Sequence, residues 1–372
     1  MPGKIKVLFD ANPLVKQKTG VGFYTEGVVK ALAEIPELEL IGHYFASRGP
    51  TPDLPKADNL SFTCNPWLIG QFVKALRKIH IRLPWELLAW QKADVLFFPN
   101  FTTWPSLFRT PKILTVHDLT YIDYPQFVSR RNLRFLRRYV AGDARRAASV
   151  LTISQFSKDR LVEEFKLPRQ KVLVEPIPPP PPLAVKTHAG LPANFILFIG
   201  TIEPRKNIGG LVDAYAALPE ALRGKYALVI AGGQGWNSDD VVERIKVFQA
   251  EGLNIVTPGY VDEQTRAALY AKAAVVVVPS FYEGFGMPLL EAMTYNAPLA
   301  VSNLPVLKEV THDAAVYFDP SSTDSIKDAL AKILTSSDLR HAQIKQFSGL
   351  LKNYSWQAVA ADIYKDIQRL AD

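Results

Sequence analysis

Short apolar, β-branched runs alternate with amphipathic helical stretches from one end of the chain to the other. This is the pattern of doubly wound α/β domains built on parallel sheets. In the first half the strand-like runs are Ile5 to Phe9, Leu40 to Phe45, Val95 to Phe98, Ile113 to Val116 and Val150 to Ile153, with Val172 to Glu175 a further candidate. The rhythm restarts with Phe195 to Ile199, Ala227 to Ala231, Asn254 to Thr257, Ala274 to Val278, Leu299 to Val301 and Ala315 to Phe318, each followed by a helical pattern. Unbroken runs such as Ala274-Val275-Val276-Val277-Val278 predict strands buried on both faces. The tail from Thr335 to Asp372 reads as helical, and Ser355-Trp356 is a start signal for its last amphipathic segment.

Between the two rhythms lies Glu175-Pro176-Ile177, followed by the prolines Pro178 to Pro182 and a polar stretch to Pro192. Consecutive prolines fix φ and favour an extended, semi-rigid spacer. The expected organisation is a first Rossmann-like domain over 1–175, a linker over 176–192 and a second Rossmann-like domain over 193–354. A length of 372 residues, 48% of them apolar, suits two cores. The single cysteine, Cys64, excludes an internal disulfide, and the start of the chain runs into a strand pattern without the marks of a signal peptide, so cytoplasm is the expected compartment. No apolar run is long enough for a spanning helix.

The net charge of +7 conceals an asymmetry. Residues 1–185 carry 26 Lys and Arg against 16 Asp and Glu, a net +10, whereas residues 186–372 carry 17 against 20. A basic first half invites an anionic partner. Two of its stretches are basic and amphipathic, Trp67 to Trp90 and Phe127 to Arg146, which fits contact with an anionic membrane surface and a lipid-linked acceptor. With no zinc finger, RNP-type strand or basic low-complexity arm, nucleic acid is not an expected partner.

Candidate chemistry collects at strand ends, where open α/β sheets bind ligands. Glu283 and Glu291 stand eight positions apart astride Gly284-Phe285-Gly286, with Glu283 expected at the strand end and Glu291 about two turns into a helix. Carboxylates suit sugar and ribose diols, and free amides at the helix start suit phosphate. Gly200-Thr201-Ile202-Glu203-Pro204-Arg205-Lys206-Asn207 follows another strand, and Arg205 and Lys206 are placed to neutralise a diphosphate. In the first half, Thr19-Gly20-Val21-Gly22 opens a helix after the strand containing Asp10, its glycines allowing close backbone approach to a ligand, and His117-Asp118 ends a strand. Ala231-Gly232-Gly233-Gln234-Gly235 brings backbone close to a nucleotide, and Ser154 reads as a helix cap. There is no Asp-x-Asp, and the six histidines lack ligand spacing, so neither metal nor cofactor is expected; the cationic pair would serve instead.

The Glu283 to Glu291 segment resembles the Glu-x7-Glu motif of glycosyltransferase family 4. Gly20-Val21-Gly22, Val116-His117-Asp118, Leu151-Thr152-Ile153-Ser154, Gly200 through Asn207, Ala231-Gly232-Gly233 and Pro258-Gly259-Tyr260 resemble that family too, in its order. The resemblance implies a GT-B fold, two Rossmann-like domains facing a central cleft, with the final helix over 355–372 crossing back onto the first, acceptor-binding domain. It implies a retaining glycosyltransferase using a nucleotide-sugar donor, with His117, Arg205, Lys206 and Glu283 catalytic. Gly20, Gly22, Gly200, Gly232, Tyr260, Val261, Phe285, Gly286, Met287, Leu290 and Glu291 would bind the donor. Many relatives have an arginine where Thr201 stands, and Arg205 is the candidate substitute. The Glu-Pro-Arg-Lys-Asn form resembles mannosyltransferase-like members, which implies a hexose, mannose from GDP-mannose, moved to a glycan or lipid-linked acceptor; the basic stretches add the expectation of a peripheral place on the inner face of the cytoplasmic membrane. A UDP-sugar-dependent glucosyl- or galactosyltransferase and a non-catalytic nucleotide-sugar-binding scaffold remain the alternatives.

Overall fold

The computed structural model describes residues 3–15, 20–46, 52–78, 81–185 and 190–372, the side chains of 74, 77 and 78 excepted. Thr19 of the first glycine turn, Ile79 and His80 of the first basic stretch, and 186–189 of the proline-rich segment lie outside the described residues, as do the side chains of Lys74, Arg77 and Lys78. The chain divides into two compact units, one of Met1–Ile122, Arg130–Ile177 and Ser355–Asp372, the other of Asp123–Ser129 and Pro178–Tyr354.

The first unit is built on a seven-stranded sheet, β3-β2-β1-β4-β5-β6-β7. Its strands are β1 (Ile5–Asp10), β2 (Leu38–Phe45), β3 (Leu60–Asn65), β4 (Val95–Phe98), β5 (Lys112–Thr115), β6 (Ser149–Thr152) and β7 (Val172–Val174), all paired in parallel. All four residues of β4 are buried, as its unbroken apolar run predicts. β3 escapes the sequence pattern for a physical reason. It has a single neighbour at the sheet edge, so Leu60-Ser61-Phe62-Thr63-Cys64-Asn65 is only part-buried and lacks a continuous apolar run. The C-terminal helix Trp356–Ala371 packs its buried stripe of Val359, Ala360, Ile363 and Ile367 against the helix Gly20–Leu32 of this unit. Ser355 caps it, accepting from the Ala358 N–H at 3.4 Å.

The second unit is built on a six-stranded parallel sheet, β10-β9-β8-β11-β12-β13. Its strands are β8 (Phe195–Ile199), β9 (Ala227–Ala231), β10 (Ile255–Gly259), β11 (Val275–Val278), β12 (Leu299–Ser302) and β13 (Val316–Phe318). β8 is central, successive strands add first on one side of it and then on the other, and the direction of winding reverses between β8 and β11. Loops leaving the carboxyl ends of strands at such a reversal diverge and leave a crevice between them. β8 and β11 are direct neighbours, Ile196 opposite Val275 and Leu197 opposite Val276, so the two loops that follow them rise side by side.

Candidate active site

The loop after β8 runs from Gly200 through a single turn of 3-10 helix, Pro204–Lys206, into the helix Ile208–Ala216. The loop after β11 runs from Pro279 to Gly286 and into the helix Met287–Thr294. Backbone stitches join them: the Phe281 N–H donates to the Arg205 carbonyl at 2.9 Å, and the Arg205 guanidinium donates to the Tyr282 carbonyl at 2.8 Å. Glu283 is thereby held against both cations. Lys206 Nζ lies 2.6 Å from Glu283 Oε1, and an Arg205 terminal nitrogen lies 2.8 Å from Oε2. Ser280 Oγ donates to Oε1 at 2.6 Å, and Glu203 takes the other edge of the Arg205 fork at 2.7 and 3.1 Å.

Two cations and two carboxylates make this cluster internally neutral. Burial by itself would raise the Glu283 carboxyl, but Lys206, Arg205 and the hydrogen bonds from Lys206 and Ser280 outweigh it and hold the group at about 2. Burial lowers the Lys206 ammonium from its ordinary value, with Glu283 pulling it back up. At neutral pH the carboxylate is therefore ionised, and its three donors fix its position. The two cations are thus held in place, Lys206 by Glu283 and Arg205 by Glu203, Glu283 and the Tyr282 carbonyl.

Beside the cluster the ends of β8, β9 and β10 present backbone. The Gly200 N–H donates to the Ala231 carbonyl at 2.9 Å and the Gly232 N–H to the Gly259 carbonyl at 2.8 Å. A Cβ on Gly232, at φ +150°, would lie 1.9 Å from the Gly200 carbonyl oxygen, so only glycine permits this approach. Tyr260 follows directly, 73% exposed, and Val261 is half-buried. Gly286, in the left-handed region, caps the helix Met287–Thr294.

Two positions differ from expectation. Glu283 lies five residues beyond the last residue of β11 rather than at the strand end, because the loop needs that length to bring Ser280 and Glu283 to Lys206. Glu291 is the fifth residue of its helix, a little over one turn in rather than two, because the helix begins only after Gly286. Glu291 is 9% exposed and pairs with Arg266 at 3.3 Å. Burial raises its carboxyl, with Arg266 and the neighbouring Tyr270 opposing. Phe285 and Leu290 are buried in the core, so what they offer a ligand is backbone; Met287 is half-buried.

The first unit holds Gly20, Gly22 and His117. Gly20 opens the helix Gly20–Leu32 and is exposed, and Gly22 is buried within its first turn. One turn on, Tyr24 meets the His117 ring edge-on at 4.9 Å and its hydroxyl lies 3.2 Å from Thr115 Oγ1. His117 is buried, and its Nε2 donates to the Pro99 carbonyl at 2.9 Å. Burial lowers its pKa, so the ring is neutral, and a neutral ring donating from Nε2 carries its acceptor lone pair on Nδ1. Ser154 is a helix cap, accepting from the Ser157 N–H at 3.1 Å.

Ser280, Glu203, Arg266 and Tyr270 were not legible as site residues. Arg266 and Tyr270 stand one turn apart on the helix Glu263–Lys272, and their partner Glu291 is on a different helix. Helical spacing within the first gives no sign of the second.

Similarity to known proteins falls in line with this geometry. The family model for glycosyl transferases group 1 matches residues 185–347, and that for glycosyltransferase family 4 matches residues 19–177. O-antigen chain mannosyltransferase B of Escherichia coli is 32% identical over 95% of this chain and 97% of its own length. The chain belongs to glycosyltransferase family 4. A second relative, O-antigen chain mannosyltransferase RfbU of Salmonella typhimurium, is 24% identical over 94% of this chain and 96% of its own. The fold is GT-B: the sucrose-phosphate synthase of Thermosynechococcus elongatus superposes with a TM-score of 0.75 at 18% identity, covering 99% of both chains. WaaG, a glycosyltransferase involved in lipopolysaccharide biosynthesis, superposes at 0.68 and 14% identity, covering 98% of this chain and 99% of its own. This protein is thus a glycosyltransferase.

Proposed function

We propose that this family 4 enzyme is a retaining, metal-independent hexosyltransferase that moves mannose from GDP-mannose to a glycan or lipid-linked acceptor. The reading places it in the cytoplasm, at the inner face of the cytoplasmic membrane. The observation that carries it is the Arg205, Lys206 and Glu283 cluster at the strand-order reversal. As the donor's sugar bond breaks, negative charge grows on the departing diphosphate, and Arg205 and Lys206 act on it more strongly in the transition state than in the ground state. They do there what a divalent ion does in other sites. The Met287–Thr294 helix start adds its amides, Glu283 accepts from a donor-sugar hydroxyl, Glu291 accepts from the ribose, and His117 bonds a further sugar hydroxyl through its neutral ring. The second unit is the donor side of this reading and the first the acceptor side. Mannose is favoured by the mannosyltransferase relative that matches the chain nearly end to end.

Thermal shift with GDP, UDP, ADP and their sugar conjugates tests the donor. A ligand at about a hundred times its dissociation constant stabilises the fold by roughly 2.7 kcal/mol. The expected result is a shift with GDP and GDP-mannose that weakens in Glu291→Ala, together with mannose transfer that is lost in Lys206→Ala. A shift with UDP alone would replace GDP-mannose by a UDP-sugar, and Lys206→Ala retaining its full rate would remove Lys206 from the chemistry.

A further inference from the structure

Arg266 stands one turn into the helix Glu263–Lys272, which opens directly after Tyr260 and Val261. Asp262 caps that helix, accepting from the Thr265 N–H at 2.7 Å, and the Arg266 N–H closes the first turn on the Asp262 carbonyl at 2.9 Å. The loop at the end of β10 and the backbone of Arg266 are thus one continuous piece. From there the guanidinium reaches a second helix, Met287–Thr294, where a terminal nitrogen lies 3.3 Å from Glu291 Oε1.

Glu291 occupies a place that does not suit a carboxylate by itself. It is 9% exposed, and burial disfavours its charged form. Glu263, at the start of the Arg266 helix, adds like charge, and Arg266 supplies the opposite charge. The helices Pro305–Thr311 and Ser337–Leu351 and the all-valine strand β11 also pack on the Glu291 helix, and among the described residues none of them brings a charge to bear on it. Tyr270, one turn beyond Arg266, is the remaining polar neighbour. Its hydroxyl is buried beside Glu291 and, among the described residues, finds no partner at hydrogen-bond geometry. The Tyr270 ring is held where it is. It stacks on Tyr295 at 6.1 Å with the ring planes 1° apart, and the Leu183 N–H donates to the Tyr295 hydroxyl at 2.9 Å. The compensation for a buried charge at Glu291 therefore falls to Arg266.

A carboxylate has about four acceptor sites, so one nitrogen on Oε1 leaves others for a ligand. We infer that Arg266 is a positioning residue for the nucleotide: it fixes the Glu291 carboxylate so that it accepts from a ribose diol, and through it the enzyme selects ribonucleoside over deoxyribonucleoside diphosphates. The inference rests on the ribose role proposed for Glu291 and is independent of the base and of the sugar moved. The diol donates to the charged carboxylate, so the preference for ribose weakens as falling pH protonates Glu291, and removing Arg266 brings that loss on at higher pH.

The test is titration calorimetry with GDP and 2′,3′-dideoxy-GDP from pH 6 to pH 8.5, the uridine pair run alongside, on wild type, Arg266→Gln, Arg266→Lys and Glu291→Ala. The ratio of the two affinities is read, because the diphosphate and its cations titrate alike with both ligands and cancel. Wild type is expected to prefer the ribonucleotide about ten-fold or more at pH 8.5, the loss typical of hydrogen bonds to a charged acceptor. In Arg266→Gln the preference should fall below wild type by about three-fold or more at pH 6, with the deficit narrowing toward pH 8.5. Arg266→Lys keeps the charge and should restore most of the preference. A deficit in Arg266→Gln that is the same at every pH, or equal weakening of both ligands, would mark a merely structural residue and overturn the inference. A wild-type ratio throughout in Arg266→Gln would overturn it as well, and Glu291→Ala then separates the two readings. Loss of the preference in Glu291→Ala would leave the ribose role standing and refute Arg266 alone, whereas a preference that survives Glu291→Ala would refute the ribose role and the inference with it.

Discussion

Arg205 is shared between two carboxylates, and that division sets what a ligand must displace. Its fork spans Glu203 on one edge and Glu283 on the other. Glu283 is also fixed by Lys206 and Ser280, whereas Arg205 and Glu203 are each 21% exposed and form the weaker pair. Glu203→Gln should therefore release the guanidinium toward an incoming diphosphate and tighten nucleoside diphosphate binding about two- to five-fold, the measure of a pair worth roughly 0.5–1 kcal/mol. Titration calorimetry reads this directly, and binding that is unchanged or weaker would remove Arg205 from the phosphate. At the same scale Arg205 and Lys206 were legible in the sequence as cations after a strand, but Ser280 was not: a serine after a valine run has no distinguishing pattern until the loop folds its hydroxyl onto Glu283.

A short element from the first half of the chain supports the loop that carries Glu283. The segment Asp123–Ser129 belongs to the second unit although the chain around it belongs to the first. Within it Tyr124 stacks on Phe127 at 5.7 Å, Phe127 stacks on Phe281 at 5.8 Å, and Tyr124 meets Tyr282 at 5.3 Å. Phe281 and Tyr282 are the residues whose backbone is bonded to Arg205. Phe127→Ala removes two ring pairs, each contributing about 0.5–1.5 kcal/mol beyond area burial, so a loss of roughly 1–3 kcal/mol in urea unfolding is expected, with transfer activity falling as the loop loosens. Stability equal to wild type would show that the rings do not hold the loop. The helix Arg130–Arg146 was legible as a basic amphipathic helix; this aromatic clasp was not, since nothing in Tyr124-Pro125-Gln126-Phe127 indicates a partner over 150 positions away.

Across the whole molecule, the last helix and the last strand of the first sheet meet at a buried acid. Glu175, directly after β7, is 4% exposed; burial raises its carboxyl to about 8, and Asp362 and Asp366 of the C-terminal helix push it further up against Lys365. A carboxyl whose folded pKa lies above its unfolded value, here 4.5, contributes stability that is complete below about pH 4.5 and is lost as pH rises toward 8. Glu175→Gln should remove that slope. The difference in melting temperature between variant and wild type is expected to grow in the variant's favour from pH 5 to pH 8.5, a comparison in which all other titrating groups cancel, and a constant difference would refute it. The alternation of buried runs determined the strands and the α/β class, because a strand covered on both faces must be apolar without interruption, and the glycine turns with their flanking charges marked the candidate site. β3 stayed unread because an edge strand needs no such run. What the sequence left open was which loop stands beside which: Lys206 and Glu283 are 77 residues apart, and only the placing of β11 against β8 brings their side chains to 2.6 Å. Local periodicity is written residue by residue, whereas strand order is settled by how helices and strands bury one another across the whole chain, and the site exists only once that packing is complete.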